Sequence, residues 1–347
     1  MPAPLPLVAR GGAGTLAGSL WLPGAAPRAL VLMHPGSGQS DRDNDVFFPP
    51  IRAALHAAGA AVASFDKRGV GESQGSWLTT GIDDQADDAV AGLRAARAAL
   101  RAATAGDRNR ADAGPSVPVV LFGHSQGGWV VLGAAARAEA HDDVAGVVTS
   151  SGPAVTPGAQ ERFSTASLLR RAGRAGAGAE RALAAFDGLM ALAERGASFG
   201  EARAWSDAAV RRDDLEVLAG LGAFVPDAPE VWGLATRIVG HDPVNALRSL
   251  AVPLLAVFGG DDGVVPVERS VAVLRETVAP DLLDVAVLLG GDHRLEGADD
   301  AFVPGYPDVV VDFVRRLAGR GTHGRRVTPC RGAAGAAGAA SVRARRG

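Results

Sequence analysis

The chain has 347 residues, 47% of them hydrophobic, and a formal net charge of −3. This length suits one large α/β domain with an insertion, or two domains, and the small net charge does not indicate binding to nucleic acid or a membrane surface. The sole cysteine, Cys330, allows neither an intrachain disulfide nor a Cys–His metal cluster. No signal-peptide pattern opens the chain and no apolar run reaches about 18 residues, so we expect a cytoplasmic protein.

The first half of the chain alternates predicted strands with predicted helices. Apolar runs predict buried strands, and 3.6-residue spacing predicts helices between them. The predicted strands are Thr15–Leu22, Ala29–Met33, Ala60–Phe65, Val117–Phe122 and Val144–Ser150, and the predicted helices are Ile51–Ala58, Ile82–Leu100 and Trp129–Ala140. The polar segment 104–116 is predicted as a loop. Strands that are apolar throughout are typical of a mainly parallel sheet with helices on both faces.

The second half interrupts this alternation with a helical segment. Helices are predicted at Glu180–Arg195, Phe199–Leu221 and Glu230–Val239, and no convincing strand lies between Gln160 and His241. The alternation then resumes with strand Pro253–Phe258, helix Pro266–Ala279, strand Leu283–Leu288 and helix Pro307–Leu317. We therefore expect a core of residues 1–155 and 246–318, a helical cap of residues 156–245 above the carboxyl ends of the strands, and a disordered Gly/Ala/Arg-rich tail at 319–347.

The hexapeptide Gly123-His124-Ser125-Gln126-Gly127-Gly128 has the form G-x-S-x-G and lies between a predicted strand and a predicted helix. A sharp strand-to-helix turn exposes the serine Oγ beside a helix N-terminus, where backbone N–H groups can bind an oxyanion. We therefore predict Ser125 as a nucleophile. The alternative is an ordinary Gly-rich turn in which the serine caps the helix.

A nucleophilic serine needs a general base and an acid that orients it. Of the seven histidines, His293 follows the last predicted strand, from where a loop can reach the serine, and we predict it as the base. The acid should come between them in the chain, after an intermediate strand. Asp262 is the first choice and Asp261 the second, while Asp292 is interpreted as a turn residue.

The oxyanion hole requires two N–H donors. One is expected from Gln126, the residue after the nucleophile. The other is expected from the loop His34-Pro35-Gly36-Ser37-Gly38, with Ser37 as the first choice and Gly36 as the alternative.

In its order of motifs the chain resembles the α/β-hydrolase superfamily over residues 14–318. The motifs are the Gly-Ser-Gly loop followed by Asp41-Arg42-Asp43, the D-x-R-G-x-G-x-S segment at 66–73, the serine turn, G-x-x-D-x-x-V-P at 259–266 and Gly-Asp-His at 291–293. The resemblance implies an α/β-hydrolase fold, favours Asp262 over Asp261, and implies that Asp66 and Arg68 brace loops near the site. Within the superfamily the chain looks like a bacterial serine esterase, although Pro35 stands where many members have glycine.

The expected function is that of a serine hydrolase that cleaves carboxylic esters of small molecules without a metal or organic cofactor. An amidase or peptidase, a thioesterase or a lactonase would use the same residues, and a non-catalytic ligand-binding protein is the alternative from another class. Trp205 and Trp232 in the predicted cap are the candidate substrate-binding residues. We expect no nucleic-acid or membrane partner, and the sequence does not indicate an oligomeric state.

Overall fold

The computed structural model describes residues 2–12, 14–104, 117–138, 144–210 and 214–320. Eight strands in these residues form one sheet. They are β1 (Leu5–Gly11), β2 (Gly14–Trp21), β3 (Ala29–His34), β4 (Ala60–Phe65), β5 (Val119–His124), β6 (Val144–Ser150), β7 (Leu254–Gly259) and β8 (Leu283–Leu288). The strand order is β1-β2-β4-β3-β5-β6-β7-β8. This arrangement confirms the predicted α/β-hydrolase fold, with a mainly parallel sheet.

Only the first strands depart from the parallel arrangement. β1 pairs antiparallel with β2, and β2 pairs antiparallel with β4, whereas every later neighbour pair is parallel. β1 was not predicted. It is an edge strand on which only Leu7 and Ala9 are buried, so it lacks the continuous apolar run that marks the inner strands.

Helices cover both faces of the sheet. The α-helices of the described residues are α1 (Phe48–Ala57), α2 (Ile82–Thr104), α3 (Gln126–Ala138), α4 (Pro157–Arg171), α5 (Gly176–Glu194), α6 (Phe199–Val210), α7 (Asp214–Gly220), α8 (Pro229–Ile238), α9 (Val244–Arg248), α10 (Val267–Thr277) and α11 (Tyr306–Arg320). On β3, Leu30 and Leu32 pack on the side of α2, α3 and α10, while Val31 and Met33 pack on the side of α1 and α11. Because alternate side chains of a strand point to opposite faces, burial on both faces explains why β3 is apolar throughout.

Helices α4 to α8 follow one another between β6 and β7 and share an apolar cluster of their own. Phe186, Leu189 and Trp232 are at its centre. Helices α6 and α7 both lie within the predicted helix Phe199–Leu221. Residues 211–213 between them lie outside the described residues.

The structure corrects several predicted boundaries. α3 begins at Gln126 rather than Trp129, directly after Ser125, and α11 extends through Gly319 and Arg320, which were predicted as part of the tail. Thr104 belongs to α2, and the rest of the predicted loop, 105–116, lies outside the described residues, as do residues 139–140 and 321–347.

In the part of the chain that the structure describes, no helix combines the length and apolar character needed to cross a membrane.

The parallel strands end at the same edge of the sheet, and the motifs from the sequence follow these ends. The loop after β3 starts at His34, the Asp66 segment follows β4, Ser125 follows β5, Asp262 follows β7 and His293 follows β8. In α/β sheets this carboxyl edge is where ligands bind.

Candidate active site

Ser125 occupies a strained turn between β5 and α3. Its φ is +52°, a left-handed value that a non-glycine residue rarely adopts. The turn is closely packed, since a Cβ on Gly127 would lie 2.5 Å from the carbonyl oxygen of His34 and 2.7 Å from that of Pro35. Glycine is therefore required at 127 so that the serine turn can lie against the loop after β3.

Ser125, His293 and Asp262 form one hydrogen-bonded row. Nε2 of His293 lies 3.0 Å from Oγ of Ser125, and Nδ1 of His293 lies 2.9 Å from Oδ2 of Asp262. The other oxygen of Asp262 accepts the N–H groups of Val264 at 2.7 Å and Val265 at 2.9 Å. These two bonds fix the buried carboxylate so that Oδ2 faces the imidazole.

The other two aspartates considered from the sequence do not join this row. Asp261 is exposed, and among the described residues its carboxylate has no hydrogen bond to His293. Oδ1 of Asp292 accepts the N–H groups of Arg294 at 2.7 Å and Glu296 at 3.1 Å, which makes Asp292 the turn residue that was expected.

A second row of hydrogen bonds connects the serine turn to the backbone of the His293 loop. Nδ1 of the buried His124 lies 3.0 Å from Nδ2 of Asn44, and Nε2 of His124 lies 3.4 Å from the carbonyl oxygen of His293. Burial, with a smaller contribution from His293, lowers the pKa of His124 well below its usual value. The neutral ring accepts from the Asn44 amide at Nδ1 and donates to the His293 carbonyl at Nε2. Sequence reasoning gave neither Asn44 nor His124 a role.

The loop after β3 lies directly against the nucleophile. A Cβ on Gly36 would be 3.5 Å from Cβ of Ser125. The N–H of Gly36, the alternative oxyanion donor, donates to Oδ1 of Asn44 at 3.2 Å and is therefore engaged within the chain. Among the described residues, no acceptor engages the N–H groups of Ser37 and Gln126. Gln126 is the first residue of α3, where backbone N–H groups have no partner inside the helix.

Lys67, the only lysine of the chain, contacts the loop after β3. Its ammonium donates to the carbonyl oxygens of Gly36 and of Gly38 (3.4 Å) and to Oε1 of Gln126 (3.1 Å). Burial lowers the pKa of Lys67 to about 7. The sequence-based interpretation passed over this residue, although its neighbours in the same motif were expected to brace loops.

Those neighbours form ion pairs with residues of other segments. Asp66 accepts from the guanidinium of Arg42 at 2.6 and 2.9 Å, and Arg68 donates to the carboxylate of Asp88 at 2.6 and 2.9 Å. Both pairs are largely buried. They tie the segment after β4 to the loop after β3 and to α2, as the resemblance implied.

A cleft is lined in part by Gly38 and Gln126. Its walls are mainly apolar and include Leu16, Phe65, Trp77 and Leu234. The last of these belongs to α8, so the helical insertion contributes to the cleft.

His34 is one of the polar residues that line this cleft. Its Nε2 lies 3.5 Å from Oε1 of Gln85. Burial, reinforced by the charge of Lys67, lowers the pKa of His34 to about 3, so the ring is neutral.

The two tryptophans predicted to bind substrate lie elsewhere. Trp232 is buried in the core of the helical insertion, where its Nε1 donates to the Ala197 carbonyl at 2.6 Å. The indole of Trp205 packs on Gly188 and donates to the Ala185 carbonyl at 3.0 Å. Both serve helix packing, and neither lines the cleft. Trp77, which does line it, is in a 3-10 turn that the sequence pattern gave no reason to select.

Glu161 is a residue of α4, the first helix of the insertion. Burial raises its pKa, whereas Gln160 and the charge of His293 act in the opposite direction. Among the described residues, no Arg or Lys forms an ion pair with Glu161. A carboxylate in this position offers a partner for a cation that comes from outside the chain.

Comparison with known proteins places this site in context. The profile of the family described as "Serine aminopeptidase, S33" matches residues 25–183. Comparison with curated protein sequences gave no match.

Several solved structures superpose over most of the chain. An esterase from Pyrococcus furiosus aligns at a TM-score of 0.55 with 14% identity, covering 90% of each chain. A proline iminopeptidase from Mycobacterium smegmatis aligns at 0.55 with 17% identity, covering 90% of this chain and 99% of that one. A thermophilic esterase from Thermogutta terrifontis aligns at 0.50 with 19% identity, covering 92% and 98%. At these identities the superpositions support the fold. Together with the profile match over residues 25–183, they point to the α/β-hydrolase superfamily.

Proposed function

We propose that the protein hydrolyses carboxylic esters of small molecules through an acyl-enzyme on Ser125. The observation that carries the proposal is the row in which Oγ of Ser125 lies 3.0 Å from His293 and His293 lies 2.9 Å from Asp262. This is the arrangement of nucleophile, base and orienting acid that acyl transfer requires.

Each group has a defined task in the first half of the reaction. With a proton on Nδ1 held by Asp262, the imidazole of His293 has a free electron pair at Nε2 and takes the proton of Ser125 as its oxygen attacks the ester carbonyl. The negative oxygen of the tetrahedral intermediate accepts hydrogen bonds from the N–H groups of Ser37 and Gln126. His293 then gives its proton to the departing alcohol, which leaves an acyl group on Ser125.

The second half repeats these steps with water. His293 takes a proton from a water molecule, which attacks the acyl carbonyl, and the same two N–H groups stabilise the second intermediate. Collapse of that intermediate releases the acid and returns the proton to Ser125. No step requires a group outside this chain other than water and the ester.

A panel of p-nitrophenyl esters with acyl chains of increasing length tests the proposal. We expect the wild type to hydrolyse at least the short esters and Ser125→Ala to lose at least about 1,000-fold in kcat. Ser151→Ala is the matched control, because Ser151 also has a positive φ and follows a neighbouring strand, and its Oγ has no hydrogen-bond partner among the described residues. Undiminished turnover by Ser125→Ala, with folding verified by circular dichroism, would reject the nucleophile.

A second candidate is cleavage of a bond next to a free amino group. Glu161 favours it, because the charge of His293 acts on the pKa of Glu161, and a carboxylate without a cationic partner among the described residues can bind a substrate ammonium. The matched family is described as serine aminopeptidases, and one similar structure is a proline iminopeptidase. Alanine p-nitroanilide and its N-acetyl derivative discriminate the two functions. Preference for the free amine that disappears in Glu161→Gln supports the second candidate, and equal rates on both substrates reject it.

A further inference from the structure

The buried ammonium of Lys67 has no acidic partner. Among the described residues, no Asp or Glu forms an ion pair with it, and its three acceptors are all neutral oxygens, two of them backbone carbonyls of one loop. Burying a cation without a counter-charge is costly, so it persists only where its hydrogen bonds compensate. An ammonium has three N–H donors, which equals the number of these acceptors.

The contact with Gly36 determines the direction of a particular N–H group. The carbonyl of Gly36 and the N–H of Ser37 belong to one peptide unit, and the described residues contain no cis peptide bond. In a planar trans peptide the C=O and N–H point in opposite directions. When Lys67 fixes the Gly36 carbonyl on one side, the Ser37 N–H is therefore fixed on the other.

The remaining contacts hold the same loop to the serine turn. The Gly38 carbonyl, the next acceptor along the loop, limits rotation of the segment on the far side of Ser37. Oε1 of Gln126 belongs to the residue whose backbone N–H is the other proposed oxyanion donor. The side chain of Asn44 accepts the Gly36 N–H. One side chain thus joins the two segments that carry the two donors.

We propose that Lys67 is a positioning residue that sets the Ser37 N–H relative to the Gln126 N–H in the oxyanion hole. It acts through the Gly36–Ser37 peptide unit and does not touch the substrate. The inference rests on the proposed ester hydrolysis. Since each oxyanion donor is worth about 100- to 1,000-fold in kcat, misdirecting one of them should have an effect near the lower end of that range.

The test uses Lys67→Met, which keeps the length of the side chain and removes its donors. On a p-nitrophenyl ester we expect kcat to fall about 100-fold and KM to change less than about threefold, because a donor to the oxyanion acts in the transition state. Affinity for a trifluoromethyl ketone, which adds to the serine and forms a tetrahedral oxyanion, should fall by the same factor as kcat/KM. If Lys67 only stabilised the fold, the loss in kcat/KM and the loss in ketone affinity would not be equal.

A second variant covers the case in which Lys67→Met fails to fold. Gln126→Leu keeps the backbone N–H of residue 126 and removes one acceptor of the ammonium, and we expect kcat and ketone affinity to fall together by about tenfold. Leu274→Ala is the control, because Leu274 is a buried core residue of α10, which belongs neither to the loop after β3 nor to the serine turn. It should lower the melting temperature and leave kcat within about threefold.

The outcomes separate this inference from the proposed function. If Lys67→Met has the same kcat and ketone affinity as the wild type while Ser125→Ala is inactive, the role of Lys67 is overturned and the proposed ester hydrolysis stands. The same result in a folded Gln126→Leu would overturn it if Lys67→Met does not fold. Full activity of Ser125→Ala would overturn both.

Discussion

Asp262 faces His293 with only one of its two carboxylate oxygens. Oδ2 lies 2.9 Å from Nδ1 of the imidazole, while Oδ1 accepts two backbone N–H groups. The two oxygens therefore have separate functions: one sets the orientation of the carboxylate and the other contacts the ring. These separate contacts determine how the side-chain amide of an Asp262→Asn variant would be oriented.

We predict that Asp262→Asn lowers kcat by about 10,000-fold with little loss of stability. The amide oxygen must face the N–H groups of Val264 and Val265, which leaves the NH₂ group facing Nδ1 of His293. An NH₂ donates to Nδ1, so the ring proton moves to Nε2, where it prevents His293 from accepting the proton of Ser125. Steady-state kinetics on a p-nitrophenyl ester measure the effect.

Asp261→Asn is the control for that variant, because Asp261 is the exposed neighbour in the same turn. Its kcat should stay within about threefold of the wild type. A small loss in Asp262→Asn together with a large loss in Asp261→Asn would reverse the assignment of the acid.

We predict that Gly123→Ala prevents formation of the serine turn. A Cβ at this position would overlap the carbonyl of Gly127 and approach the side chain of Val131, so strand β5 and helix α3 would have to separate. Because the backbone would have to move, we expect the free energy of unfolding to fall by about 3 kcal/mol or more. Urea unfolding measures it. Gly24→Ala, where a Cβ meets nothing within 4 Å, should unfold at the wild-type midpoint.

The sequence predicted the parts of the fold that depend on local pattern. Inner strands such as β3 are apolar throughout because both faces are covered, and β8 lies where the pattern put it. Ser125, Asp262 and His293 could be selected because each lies at or within five residues after the end of a strand of a parallel sheet, and such strand ends share one edge. The sequence thus anticipated their juxtaposition, while their catalytic roles stay predictions.

The missed features depend on contacts between distant segments. Lys67 and Gln126 are 59 positions apart, and Asn44 and His124 are 80 positions apart, so no local pattern connects them. The orientation of Trp232 depended on how α8 packs against α5, which helical periodicity does not specify. Nor could the sequence reveal the hydrogen bond from the Gly36 N–H to Asn44.

We predict that acid destabilises the protein through its buried histidines. The pKa of His34 is about 3 in the folded chain against an ordinary value of 6.5, so between these values the unfolded chain binds more protons. Stability therefore falls as the pH falls below 6.5, by up to about 1.4 kcal/mol per pH unit for each such group. The lowered pKa of His124 acts in the same direction.

Urea unfolding of the wild type and His34→Gln at pH 7 and pH 5 checks this prediction. Glutamine cannot take up a proton, so the loss of stability between the two pH values should be smaller in the variant. Equal losses in both proteins would mean that His34 does not contribute to the acid sensitivity.

The central claim is that Ser125 is a nucleophile activated by His293. Intact-mass analysis after treatment with a fluorophosphonate, followed by peptide mapping, tests it most directly. We predict a single adduct on Ser125 in the wild type, no adduct in Ser125→Ala, and at least about 100-fold slower labelling in His293→Gln. An unlabelled wild type, or equal labelling of Ser125→Ala, would contradict the claim.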